Sequence, residues 1–170
     1  MSAVPTPAMV LSDATTARFA AEVAKYPADQ KQSAVMACLA IVQQEQGWVS
    51  PEAEEAVAAY LGMPAIAVRE VTTFYNMYNQ QPVGRFKLNV CTNLPCQLRN
   101  GQHALEHLCR KLGIDEGGTS ADGLITVQKS ECLGACADAP VLLVNDRQMI
   151  SFMSDARLDE LVATLKASVK

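Results

Sequence analysis

Apolar residues recur every three to four positions from Ser12 to about Tyr78, and the spacing changes after Arg85. Ser12 can cap a helix that presents Phe19, Val23 and Tyr26 on one face, and Pro27 stops it. A second helix is expected over residues 29–46, with Val35, Cys38, Leu39 and Val42 at i, i+3, i+4 and i+7 and Gly47 just past its end. Ser50-Pro51 opens a third by the preferences for the cap and the first helical position, and Gly62 ends it. Pro64 opens a fourth, along which Val71, Phe74, Tyr75 and Tyr78 share a stripe. These elements predict a helical bundle over residues 12–80. A flexible lead-in containing proline is expected over residues 1–11, and residues 79–85 read as a linker after the bundle.

The second half carries a shorter period. Phe86, Leu88 and Val90 alternate with polar residues, which predicts a strand over 85–91. Residues 102–112 form a helical pattern with Leu105, Leu108, Cys109 and Leu112 inward and Gly113 closing it. Residues 124–129 make a second strand. Residues 141–144 and 147–150 flank Asn145-Asp146, a two-residue loop suited to a hairpin. Ser154 caps a last helix with Leu158, Leu161, Val162 and Leu165 on one side. The order β-α-β-β-β-α is that of a thioredoxin-like α/β unit, expected over residues 81–170. The whole chain is then α/β in class, α+β overall.

Composition narrows the function classes. Of 170 residues, 49% are hydrophobic and 19% charged, an ordinary globular balance, and the formal charge of -4 argues against a nucleic-acid partner. The longest uncharged apolar run, residues 34–42, is far below the roughly 18 residues of a spanning helix. The N-terminus lacks a basic region followed by a long apolar core, and has no Arg-rich transit pattern. A soluble protein is expected, with any membrane contact made through partners. Six cysteines without a secretory signal suggest a reducing compartment, where close pairs serve as metal ligands or redox thiols.

Four of the six come in two pairs. Cys91 and Cys96 have four residues between them, and Cys132 and Cys136 have three. The first strand ends at Cys91, the second ends just before Glu131, and one helix joins them. That connection makes the strands parallel and sends both cysteine loops from the same sheet edge, where open α/β sheets tend to hold ligands. Two pairs of thiolates suit a two-iron, two-sulfide cluster, one pair per iron, with a net charge of about -2. Gly134 lets backbone N–H groups approach the sulfurs, while Pro95 and Pro140 stiffen the loops. A structural zinc site and a thiol–disulfide centre remain open on spacing, although the C-x-x-C pair of a thioredoxin catalyst is absent.

The loops Cys91-Thr92-Asn93-Leu94-Pro95-Cys96-Gln97-Leu98-Arg99-Asn100 and Glu131-Cys132-Leu133-Gly134-Ala135-Cys136-Ala137-Asp138-Ala139-Pro140 resemble the signature loops of a known family. It is that of the small thioredoxin-like 2Fe-2S ferredoxin subunits of respiratory complex I, the NADH-quinone oxidoreductase. Gly47-Trp48-Val49, Thr73-Phe74-Tyr75 and Gln81-Pro82-Val83-Gly84-Arg85 resemble its helical half, so the likeness covers nearly the whole chain after the first ten residues. The resemblance implies one 2Fe-2S cluster ligated by Cys91, Cys96, Cys132 and Cys136. It further implies an electron-transfer role in an NADH dehydrogenase module, beside a larger flavoprotein that binds FMN and NADH. Its implied location is the bacterial cytoplasm, peripheral to the inner membrane, or the mitochondrial matrix side in a eukaryote. Related subunits occur in NAD-reducing hydrogenases and NAD-dependent formate dehydrogenases, the alternative assemblies. A zinc-stabilised interaction module is the rival from another class. The chain has no phosphate-cradling G-x-G-x-x-G loop, so FMN and NADH are expected on the partner alone.

The other chemistry-bearing residues have plainer readings. Cys38 and Cys109 lie on apolar helical stripes and read as core thiols. His103 and His107 are four apart, off the leucine stripe, and read as a solvated face. Trp48 and the Phe74, Tyr75 and Tyr78 group read as core, with an interface role as the alternative. Glu54, Glu55 and the acidic start of the last helix read as surface charge near helix N-termini. No catalytic acid–base constellation appears.

Overall fold

The structure, a computed structural model, describes residues 10–169, so most of the lead-in expected over 1–11 lies outside the described residues. The chain divides between Pro82 and Val83 into two compact units.

The first unit is helical. Helix α1 (Asp13–Val23) is capped by the Ser12 side chain, which accepts from the Thr15 amide. Residues 28–34 form a 3-10 segment with a kink at Gln30, and α2 (Val35–Gln46) follows it. The continuous helix expected over 29–46 is therefore shorter than predicted. Ser50 caps α3 (Pro51–Leu61), while Gly47 and Gly62 take the left-handed conformation that ends α2 and α3. Helix α4 (Ala65–Phe74) completes the unit, with Pro64 as its cap residue. Phe19, Cys38, Leu39, Val42, Val49, Val57 and Val68 are fully buried in one core.

Three expectations fail here. The aromatic stripe breaks because α4 stops at Phe74: Tyr78, beyond the helix, is buried and donates its hydroxyl to the Met36 carbonyl at 2.9 Å, whereas Phe74 is 80% exposed. Tyr26 likewise lies past the end of α1 and is exposed. Glu54 is not a surface charge. It is 4% exposed, accepts from the Thr72 hydroxyl, and pairs with Arg69 at 3.3 Å. Glu55 does face solvent.

The second unit is built on a four-stranded sheet of order β2-β1-β3-β4, comprising β1 (Phe86–Cys91), β2 (Ile125–Ser130), β3 (Leu142–Val144) and β4 (Gln148–Ile150). Strands β1 and β2 are parallel, as a single crossover between them requires, and β3 and β4 add antiparallel strands beyond β1. Between β1 and β2 run the short α5 (Leu94–Leu98) and α6 (Gly101–Leu112). Helix α7 (Asp155–Ala167), capped by Ser154, ends the described chain. Leu88, Leu105, Leu108, Ile125, Val127, Leu142 and Leu158 form the core.

Because β1 is central, it is buried on both faces rather than alternating. Its polar residues Lys87 and Asn89 are accommodated by the hairpin: Lys87 Nζ lies 2.7 Å from Asp146, and Asn89 donates to Asp146 at 2.6 Å. Asn145 and Asp146 both have positive φ, as the hairpin turn demands. The ladder nevertheless pairs Val144 with Gln148, so the connection holds three residues instead of two.

Candidate metal centre

The parallel register sets Cys91, the last residue of β1, beside Ser130, the last of β2. Cys132 follows two residues later. The Thr92 amide donates to the Ser130 carbonyl at 3.2 Å, and the Asn93 side chain donates to Glu131 at 2.8 Å, so the two loops are tied where they leave the sheet. The turn from β1 into α5 brings Cys96 back against Cys91. Gly101, the first residue of α6, makes this return possible: a Cβ there would stand 2.7 Å from the Cys91 carbonyl oxygen and 2.9 Å from that of Cys96. On the second loop Gly134 has φ of 82°, and the 3-10 turn over Cys136–Asp138 carries the last cysteine.

The four cysteines form two unlike pairs. Cys91 and Cys96 are buried, packed with Ala139 and Val141. Cys132 and Cys136 are exposed, their sulfurs 3.7 Å apart. Burial pushes the Cys96 thiol up to about 11, opposed by the Val141 amide, which donates to the sulfur, and aided by the neighbouring Cys91 and Cys136. Cys136 is raised too, first by its hydrogen bond with Cys132, then by burial and the charges of Cys132 and Cys91. Each pair therefore feels the other. Crowded thiols that resist ionisation are relieved when a cation takes their protons' place. Two pairs of sulfurs, one shielded and partly supplied with backbone N–H donors, are a donor set that fits two iron ions with one pair each.

Cys38 is fully buried among the helices and its thiol is raised to about 11, chiefly by burial. Cys109 is half-buried on α6 and packs against the leucine core. Both are core thiols. His103 keeps the expected solvated face, while His107 is half-buried. His103 and His107 reach across to α7, where they meet Asp155 and Asp159. Their four-residue spacing was visible in the sequence; the carboxylates 52 positions away were not.

An α/β sheet with a cysteine pair on the loop after each of two parallel strands defines a thioredoxin-like iron–sulfur domain. The thioredoxin-like [2Fe-2S] ferredoxin family matches residues 19–166, and the chain belongs to that family. It is 42% identical over 144 residues to NADH-quinone oxidoreductase subunit 2 of Thermus thermophilus, covering 85% of this chain and 80% of that one. It is 40% identical over 148 residues to an NADH-quinone oxidoreductase subunit of Rhizobium meliloti, covering 87% and 86%. Among solved structures, an NAD+-reducing [NiFe]-hydrogenase shares the fold at a TM-score of 0.68 and 21% identity. That match spans 85% of this chain and a quarter (25%) of the hydrogenase chain.

Proposed function

We propose that this protein is the electron-transfer subunit of an NADH:quinone oxidoreductase, holding one 2Fe-2S cluster on Cys91, Cys96, Cys132 and Cys136 beside a flavoprotein that carries FMN and oxidises NADH. The convergence of two cysteine pairs at the carboxyl edge of β1 and β2 carries this reading. The family match and the names of the relatives support it. When bound, the cluster supplies one-electron chemistry between ferric and ferrous iron.

The chain's own residues set the conditions for that chemistry. Cys91 and Cys96, at 2% and 1% exposure, keep water from one side, and the Val141 amide donates to the Cys96 sulfur to offset negative charge. Cys132 and Cys136 face outward, so electrons enter and leave by that side. Phe74, Tyr75 and Met77 on the helical unit are exposed apolar side chains of the kind that anchor stable interfaces, and they fit the flavoprotein as partner. Tyr78 is excluded from that role by its burial. The names of the relatives support a place on the peripheral arm of such a complex, on the cytoplasmic side in a bacterium. No helix among the described residues is long and apolar enough to cross a membrane.

The deciding experiment is spectroscopic. The purified protein is expected to be brown, to bleach on dithionite and to contain two irons per chain. Alanine at any one of the four cysteines is expected to remove most of the iron, and alanine at Cys38 or Cys109 to leave it. A colourless protein with one zinc per chain, or loss of iron on replacing Cys38 or Cys109 alone, would refute the assignment. Copurification with an FMN protein tests the partner.

A further inference from the structure

We propose that His103, His107 and Asp155 form a second metal site, separate from the cysteines, that takes a divalent cation of the Zn2+ class and clamps α6 to α7. One ligand atom from each of the three residues lies within 4.8 Å of the other two. Tetrahedral zinc with bonds of ~2.0–2.1 Å spaces its ligands about 3.3 Å apart. His103 Nε2 stands 3.2 Å and His107 Nδ1 3.5 Å from the same Asp155 oxygen, Oδ2, so two of the three edges already have that length. Two imidazoles and one carboxylate are donors suited to zinc, with a fourth position left for water.

The surroundings match the ligands. His107 presents Nδ1 to the site because its other nitrogen, Nε2, lies 2.8 Å from Asp159 Oδ1. A metal-binding imidazole needs this arrangement: donation of the outer N–H to a carboxylate selects the tautomer with a lone pair facing the ion. Lys111 holds Asp159 in turn at 2.9 Å. His103 and Asp155 also line a cavity of about 400 Å3 with Arg99, Asn100, Phe152 and Ser154, which gives a hydrated ion a path to the ligands. Helical spacing stacks the donors in pairs. His103 and His107 are one turn apart on α6, and Asp155 and Asp159 are one turn apart on α7.

The test uses the full chain with its cluster intact, freed of adventitious metal by chelator and titrated with Zn2+ while iron absorbance is followed. Zinc bound per chain is expected to be one equivalent greater for wild type than for His103→Gln or Asp155→Asn, with the iron spectrum unchanged in all three. This difference reads the histidine site whatever occupies the cysteines. Asp159→Asn is expected to weaken binding about 10–100-fold, as loss of an outer carboxylate does. Zinc should raise the melting temperature of wild type and leave that of His103→Gln where it was. His103 is exposed, so its replacement does not threaten folding. Equal zinc uptake by wild type and both variants, or uptake only as iron is lost, would overturn the proposal.

Discussion

Replacing Gly101 by alanine should damage the cysteine site without touching a sulfur. Gly101 is buried at the first position of α6, and it is not among the glycines with positive φ. By propensity alone, alanine there would stabilise the protein by ~0.5–1 kcal/mol. Its Cβ, however, would stand 2.7 Å from the Cys91 oxygen and 2.9 Å from both the carbon and the oxygen of the Cys96 carbonyl. All three are main-chain atoms, so no side-chain rotation relieves the contact. The end of β1 cannot yield freely either, because the Cys91 amide donates to the Val141 carbonyl at 3.1 Å. Overpacking costs typically 1–3 kcal/mol, and three backbone contacts place this case at the upper end. After the propensity gain is subtracted, a net loss of about 2 kcal/mol remains. The strain falls between Cys91 and Cys96, so iron content should fall with stability. Gly113→Ala is the control: Gly113 has φ of 66° and open space around its Cβ direction, so the variant should lose roughly 1–2 kcal/mol and keep its iron. Iron per chain, visible absorbance and chemical unfolding measure both variants. Full iron content and unchanged unfolding in Gly101→Ala would refute the reasoning.

Glu54→Ala should destabilise the helical unit by about 2 kcal/mol in urea unfolding, since it strips the buried Thr72 hydroxyl of a charged acceptor, whereas Glu55→Ala should stay within about 0.5 kcal/mol of wild type. The same unit should weaken in alkali. Burial holds Tyr78 at about 12 against 10.0 and Cys38 at about 11 against 9.0, so the folded state keeps protons that the unfolded chain releases. Stability from these groups is full below about pH 9 and is lost as pH rises toward 12, by on the order of 3 kcal/mol for each group. Cys38→Ala should remove its share of that slope, and an unchanged slope would contradict the assignment. A fragment of residues 83–170, the second compact unit, should keep the iron spectrum while losing copurification with the flavoprotein. A fragment folded by circular dichroism but free of iron would show that the helical unit shapes the site.

What the sequence determined by itself is what short-range chemistry decides. Ser12, Ser50 and Ser154 mark helix starts because a hydroxyl two or three residues before an amide can cap it, and each does so. Gly47, Gly62 and Gly113 mark helix ends because a left-handed residue there is cheapest without a Cβ. The cysteine convergence was legible for a related reason. A connection long enough to carry a helix back across the sheet lets the two strands run parallel, and chain order then sets both loops at one edge.

Tertiary structure decided the fate of polar and aromatic side chains whose partners are remote in sequence. Glu54 became a buried acceptor because Thr72, 18 residues away, faces it. Lys87 sits inside a central strand because the hairpin brings Asp146 to its ammonium group. His103 and His107 gained carboxylate partners because α7 sets Asp155 and Asp159 beside α6, although His103 stays exposed. Gly101 gave no local sign of its role, since a helix can begin at any small residue, and its need arises only where two cysteine backbones close on it. A cap or turn is decided within a few residues of chain; a buried charge or a close approach is decided by what the fold brings beside it, and neither hydrophobic period nor composition encodes that neighbour.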